Sequence, residues 1–162
     1  MSDILSLIGR KSPLFLNDLP NHDMIRKDAI QGAKVLVIGG AGSIGQNVAK
    51  EVFKRKPKVL HVVDISENNL VELVRDIRSS LGYIEGDTAF VPICMGSKEF
   101  EAFWQVNAPY DYVFNLAAMK HVRSEKDQFS LMRMIKTNIL YTQKTYKMAA
   151  KVGAKKYFAV ST

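Results

Sequence analysis

The chain has 162 residues, about one domain by length, and its mixture of apolar and charged residues is that of a globular protein. Its formal charge of +7 admits a nucleic acid, an anionic membrane or a phosphorylated small molecule as partner. The cations are scattered rather than gathered into a stripe interleaved with aromatics, so no nucleic-acid partner is expected. One cysteine excludes an internal disulfide, no Cys/His metal-ligand spacing occurs, and no apolar run approaches the roughly 20 residues of a membrane span. A reducing, cytoplasmic setting and a soluble chain are the expectation.

Residues 1–32 lack a long periodic pattern, and Pro13, Pro20 and the polar stretch from Asn17 to Asp23 interrupt any helices there. They read as an amino-terminal arm whose apolar groups, among them Leu14-Phe15-Leu16, dock on the chain's own domain or on a second subunit. From Lys34 short β-branched runs alternate with amphipathic stretches, the pattern of a parallel sheet covered by helices. Strands are predicted at Lys34–Ile38, Val59–Val63, Ala89–Ile93, Tyr112–Asn115 and Lys156–Val160. Helices are predicted at Ser43–Lys54, Glu67–Leu81, Lys98–Asn107 and Ser130–Val152, with Gly153 ending the last. Right-handed crossovers and a reversal after the third strand make this an α/β doubly wound, Rossmann-like parallel sheet of order 3-2-1-4-5. The ligand crevice is then expected above the carboxyl ends of strands one and four. Residues 33–162 form that domain.

The first strand runs into Gly39-Gly40-Ala41-Gly42-Ser43-Ile44-Gly45 and then a helix. In that order the helix-start N–H groups of Ser43, Ile44 and Gly45 and the positive dipole end face a pyrophosphate. Gly39 permits the tight turn, Gly42 lets the backbone approach the phosphates, and Gly45 lets the helix pack close to the strand. Asp64 ends the second strand 19 residues beyond Gly45, close to the roughly 20 expected of a ribose-binding carboxylate. Such a carboxylate accepts from ribose hydroxyls and repels a 2′-phosphate, so NAD is expected over NADP.

The glycines fit both GxxGxxG and GxGxxG, and later segments decide between them. Asp111-Tyr112-Val113-Phe114-Asn115-Leu116-Ala117-Ala118-Met119-Lys120-His121-Val122 resembles the fourth-strand region of the nucleotide-sugar 4,6-dehydratases of polysaccharide synthesis, in the extended branch of the short-chain dehydrogenase/reductases. The likeness continues through Glu125, Thr137-Asn138-Ile139 and Lys156 to Ser161-Thr162, and Asp64 to Leu70 resembles the NAD-using members. The resemblance implies a dehydratase, a lyase acting on UDP-N-acetylglucosamine, with tightly held NAD as a recycled hydride carrier. The sugar would lose water across C5 and C6 with no net redox change.

Residue by residue, the resemblance implies that Ser66, Asn68 and Ser161 touch the cofactor and that Ala117-Ala118 leave room for the nicotinamide-side ribose. Lys120 would neutralise phosphate charge, with His121 nearby, and Asn138 would stand by the nicotinamide ribose. Cys94 stands where relatives carry an adenine-binding aspartate, so adenine contact falls to backbone at Cys94 or Met95, and the thiol reads as buried. Thr162 matches the threonine that hydrogen-bonds the C4 oxygen. The family's Asp-Lys acid/base pair would follow Thr162, so the chain as given is expected to bind cofactor without catalysing dehydration. Tyr141 to Lys144 has the wrong spacing for the family's Tyr-x-x-x-Lys motif, and Met132 to Lys136 has a Met-x-x-x-Lys spacing but precedes the fifth strand; both sit on a helix expected to face the wrong way in the order of elements. A UDP-sugar substrate and a homo-oligomer are expected of the whole enzyme. A 4-epimerase or 4-dehydrogenase on the same scaffold, or a non-catalytic NAD-binding sensor module, remain open alternatives.

Overall fold

The computed structural model describes residues 2–12, 14–16, 18–83, 86–120 and 127–160. The arm holds three helices, α1 (Ser2–Leu7), α2 (Asp18–Asn21) and α3 (Asp23–Ile30). Then β1 (Lys34–Ile38), α4 (Ser43–Lys54), β2 (Val59–Asp64), α5 (Glu67–Ser80), β3 (Asp87–Pro92), α6 (Lys98–Asn107) and β4 (Tyr112–Asn115) alternate. After β4 come α7 (Gln128–Ile135), a π-helical segment (Lys136–Tyr141), α8 (Thr142–Lys151) and β5 (Lys156–Ala159). The five strands are all parallel, in the order β3-β2-β1-β4-β5, as the crossover rules require.

Alternation along β1 divides the core in two. Val35 and Val37 point to one face, where Val52 and Phe53 of α4 and Leu70, Leu73 and Ile77 of α5 cover them. Leu36 and Ile38 point to the other, where Phe100 and Trp104 of α6 and Ala149 of α8 close over them. Several boundaries shift by one or two residues from the pattern-based reading, and the starts of the third strand and of the last helical stretch have evident causes. The third strand opens at Asp87, because its backbone pairs with Val59 before its apolar run begins. The last helical stretch starts at Gln128, because Asp127 caps it through its carboxylate to the Ser130 N–H at 2.8 Å. Gly153 has the positive φ of 75° that ends α8.

The arm's last helix packs on the sheet domain. Ile30 joins the first core cluster, the Gly32 N–H donates to the Lys56 carbonyl, and Arg55 reaches Asp23 at 2.8 Å. Leu14, Phe15, Leu16 and Met24 lie exposed. At the amino-terminal edge of the sheet, Asp111 accepts from the Lys34 N–H at 2.8 Å and from Lys155 Nζ at 3.0 Å, which holds the starts of β1, β4 and β5 together. The Lys34 N–H bond, then Lys155, holds its carboxyl below the ordinary range.

His61 is buried in β2, with Nδ1 2.7 Å from the Tyr110 hydroxyl and Phe103 against the ring. Burial lowers its pKa from 6.5, so the unfolded chain binds more protons below that pH than the folded one. Stability is therefore intact above about pH 6.5 and falls as the pH drops through that value. Chemical denaturation between pH 5 and 8 should show this loss, and His61→Phe should flatten it; an unchanged slope in the variant would assign the loss to other groups.

Candidate functional site

At the carboxyl edge of the sheet lies a cleft of about 1050 Å³, at or above the roughly 300–1,000 Å³ of drug-sized ligand pockets. Its walls come from the loops after β1, β2, β3 and β4 and from α7 with its π segment. This is the switch point between β1 and β4, where the strand order reverses.

The glycine loop is held from β2. The Gly39 and Gly40 N–H groups donate to the Val63 carbonyl, at 2.7 and 3.3 Å, and the Ala41 N–H donates to Asp64 Oδ2 at 2.9 Å. Asp64 Oδ1 accepts from the Ser66 N–H at 2.9 Å. Each carboxylate oxygen therefore keeps acceptor capacity for a ligand hydroxyl. Gly39 takes a φ of 72°, and a Cβ there would strike the Ala117 backbone, so the loops after β1 and β4 touch through a residue without a side chain. A Cβ on Gly45 would overlap the Gly39 carbonyl oxygen, the close helix approach expected of that position.

Helix capping differs among the helices that follow the strands. Ser66 caps α5, Ser97 caps α6 and Asp127 caps α7, each accepting from an N–H of the first turn. α4 opens at Gly42 with no side-chain cap. Its first N–H groups, at Ser43, Ile44 and Gly45, are left for water or an anion, with the positive end of the helix dipole behind them. A Cβ on Gly42 would meet only the Gly39 carbonyl, at 3.6 Å, so this face of the loop is open.

Among the expected site residues, Gly39, Gly42, Asp64, Ser66, Met95, Ala117 and Ala118 line the cleft together. Ser43, Ile44 and Gly45 form the helix start beside it. Asn68 lies outside the lining, where Asn69 takes its place, and Lys120 is exposed beyond it. Asn138 borders a smaller cavity with Ala117 and Ala118. Its amide closes on the backbone of one residue: Oδ1 accepts from the Met119 N–H at 2.8 Å and Nδ2 donates to the Met119 carbonyl at 2.9 Å. It thus pins the loop after β4. His121, Ser161 and Thr162 lie outside the described residues.

Two expectations are corrected. Cys94 is exposed rather than buried and lines the cleft, because it follows the carboxyl end of an edge strand where no helix covers it. The helix carrying Met132, Lys136 and Tyr141 does not face away: all three line the cleft, with Phe129, Arg133 and Thr137. The spacing 129, 132/133, 136/137 is one face of a helix, and a regular helix would continue it at Leu140. The π segment adds a residue to the turn, so the face resumes at Tyr141, whose ring packs over Gly96. The three- and four-residue spacing was visible in sequence; the π turn that extends it was not.

Asn115 was unremarked as a polar end to an apolar strand. Buried, it accepts from the Ala117 N–H at 3.3 Å and donates to Thr142 Oγ1 at 3.1 Å and the Tyr157 hydroxyl at 3.0 Å. It joins β4, α8 and β5 beneath the cleft. Burial also raises the Tyr157 phenol, which stays a neutral member of this network. No described helix is long and apolar enough to cross a membrane.

A family model described as polysaccharide biosynthesis protein matches residues 35–162. An uncharacterized membrane protein of Methanocaldococcus jannaschii is 30% identical over 129 residues, 79% of this chain and 35% of that protein. The capsular polysaccharide biosynthesis protein CapD of Staphylococcus aureus is 26% identical over 156 residues, 91% of this chain and 25% of its own length. The chain thus spans between a quarter and about a third of these relatives. Among solved structures, Pen from Bacillus thuringiensis superposes with a TM-score of 0.67 at 30% identity, covering 82% of this chain and 38% of that one. Bordetella bronchiseptica WbmF in complex with NAD+ and UDP has a TM-score of 0.61 at 23% identity, over 80% and 36%. A short-chain dehydrogenase/reductase from Mycobacterium ulcerans has a TM-score of 0.66 at 19% identity, over 82% and 52%, and shares the fold.

Replacing Asn138 by Ala leaves both polar groups of Met119 without that amide. Such a loss costs about 1–3 kcal/mol for a buried pair, less as water reaches the loop. A lowered melting temperature and faster amide exchange at Met119 are expected; unchanged exchange there would show that another contact holds the loop.

Proposed function

The chain belongs to the polysaccharide biosynthesis protein family, whose model covers residues 35–162, and on that footing we propose that it is the NAD-binding part of a nucleotide-sugar 4,6-dehydratase acting on UDP-N-acetylglucosamine. The observation that carries the cofactor is the uncapped start of α4, set between Asp64 and the Ala117-Ala118 loop in one cleft. A structural relative of the same fold binds NAD+ and UDP, which supports the same ligand classes here.

The residues present fit a dinucleotide. The N–H groups of Ser43, Ile44 and Gly45 would take the pyrophosphate, and the open side of Gly42 lets it approach. Asp64, with acceptor capacity left on both oxygens, would take the adenosine ribose hydroxyls, and Ser66 borders the same end. Met95 would close on the adenine, while Ala117 and Ala118 leave width for the second ribose. Asn138 acts on that half through Met119, by fixing the loop that Ala117 and Ala118 belong to. Lys120 offers positive charge at the rim. When bound, the nicotinamide supplies a reversible hydride acceptor, and the chain's own contribution is orientation and a shaped, partly dry site. Ser161 and Thr162 follow β5 and are proposed at the cofactor and at the C4 oxygen of the sugar. The acid and base for water loss belong to a longer protein, cytoplasmic at this domain and homo-oligomeric.

NAD should raise the melting temperature well above the shift given by equal NADP, since binding to the folded state stabilises by mass action and Asp64 repels a 2′-phosphate. Asp64→Ala should narrow that gap, and equal shifts with the unaltered chain would overturn the role given to Asp64. For the reaction, the longer protein incubated with UDP-N-acetylglucosamine should yield a product lighter by one water; a product of unchanged mass would point to 4-epimerisation.

A further inference from the structure

The cleft wall opposite the strand ends carries charge that the preceding assignment does not use. From Gln128 to Lys151 the chain has no Asp or Glu, while Arg133, Lys136, Lys144, Lys147 and Lys151 are cations. Lys144 is neutralised by Glu101. Arg133 and Lys136 line the cleft, and among the described residues the side chain of neither makes a hydrogen bond or an ion pair. Three positions apart, they share one helix face. Among the described residues Asp64 is the one carboxylate in the lining, and its oxygens already accept from the Ala41 and Ser66 N–H groups.

Charge balance makes this wall informative. The diphosphate of a dinucleotide or of a nucleoside diphosphate ester carries two negative charges, whereas the open end of α4 offers only about half a positive charge. A glycine loop alone leaves most of the ligand's charge uncompensated. Both cations are exposed in the free chain, so holding them unpaired costs little, and closing on an anion gives charge-assisted hydrogen bonds. The guanidinium suits two phosphate oxygens at once, and the ammonium acts as a point charge beside it.

We infer that Arg133 and Lys136 form a cationic wall that binds the diphosphate of a nucleotide from the side opposite the glycine loop. This rests on the reading of the cleft as a nucleotide site. It adds a second source of phosphate recognition from an element that contributes no glycine motif. The diphosphate of the dinucleotide and that of a nucleoside diphosphate sugar present the same chemistry, and separate titrations distinguish them.

The test is calorimetric titration of the chain and of R133Q, K136Q and the double variant with NAD, ADP-ribose, adenosine and UDP, at two salt concentrations. Each single change should weaken the diphosphate ligand about tenfold, as expected for one charge-assisted hydrogen bond, and the double variant more. Adenosine binding should be unchanged, and the salt dependence of the diphosphate ligand should become shallower. Weakening of NAD and ADP-ribose assigns the wall to the dinucleotide; weakening of UDP alone assigns it to the sugar nucleotide. K147Q, a change elsewhere on the same stretch of helix, should leave all four affinities as they were. Unaltered ADP-ribose and UDP affinity in the double variant overturns the inference, as does an equal loss of adenosine. If the unaltered chain binds UDP but neither NAD nor ADP-ribose, the dinucleotide reading fails while the wall is still judged by UDP. If it binds none of the four, both fail.

Discussion

The Asp64 carboxylate ties three elements at one point. It accepts the Ala41 N–H from the glycine loop with one oxygen and the Ser66 N–H at the entry to α5 with the other. A short polar side chain at the end of β2 thus sets the path of the chain leaving β1. That path decides how α4 starts, and α4 starts at a glycine with no capping side chain. Asp64 and the Val63 carbonyl hold the loop that presents the N–H groups proposed for an anion. The carboxylate proposed for the ribose is therefore also the group that supports the loop.

The opposite wall is built by amides instead of a carboxylate. Asn115 anchors the end of β4 to α8 and β5, and Asn138 grips the backbone N–H and carbonyl of Met119 from the π segment. Asn138 uses both donor and acceptor of its amide on the backbone of Met119, while Asn115 accepts from the Ala117 N–H and gives its donors to the Thr142 and Tyr157 side chains. Between these supports Ala117 comes against Gly39, and the cleft keeps its width. The other edge of the sheet is a different kind of place. There Asp111 clamps the starts of three strands, and His61 and Tyr110 are sealed in the core. The cleft lies at the opposite, carboxyl edge, where ligands bind in open parallel sheets.

Membership of the polysaccharide biosynthesis family places this cleft among proteins several times longer than the chain. What the 162 residues supply is a parallel sheet with a cleft at its carboxyl edge, together with an arm whose final helix, through Ile30, is already part of the core. The arm illustrates a general difficulty. Its short, proline-interrupted segments carry no long periodicity, so only their packing separates the helix that docks from the exposed apolar turn at Leu14 to Leu16.

The strand order, the glycine turn and the place of Asp64 were all legible in the sequence. Each depends on local pattern: alternating apolar residues, glycines where a side chain would collide, and a carboxylate at a fixed distance along one βαβ unit. The far wall of the cleft was not legible: the Cys94 thiol was read as buried, and the helix bearing Met132, Lys136 and Tyr141 as facing elsewhere. Whether a side chain at the end of an edge strand is covered depends on a helix distant in sequence. Whether a helix face reaches Tyr141 or Leu140 depends on one π turn, which the sequence spacing does not display. Local hydrogen bonding and sterics wrote one half of the site into the sequence, and the other half exists only where separate elements meet.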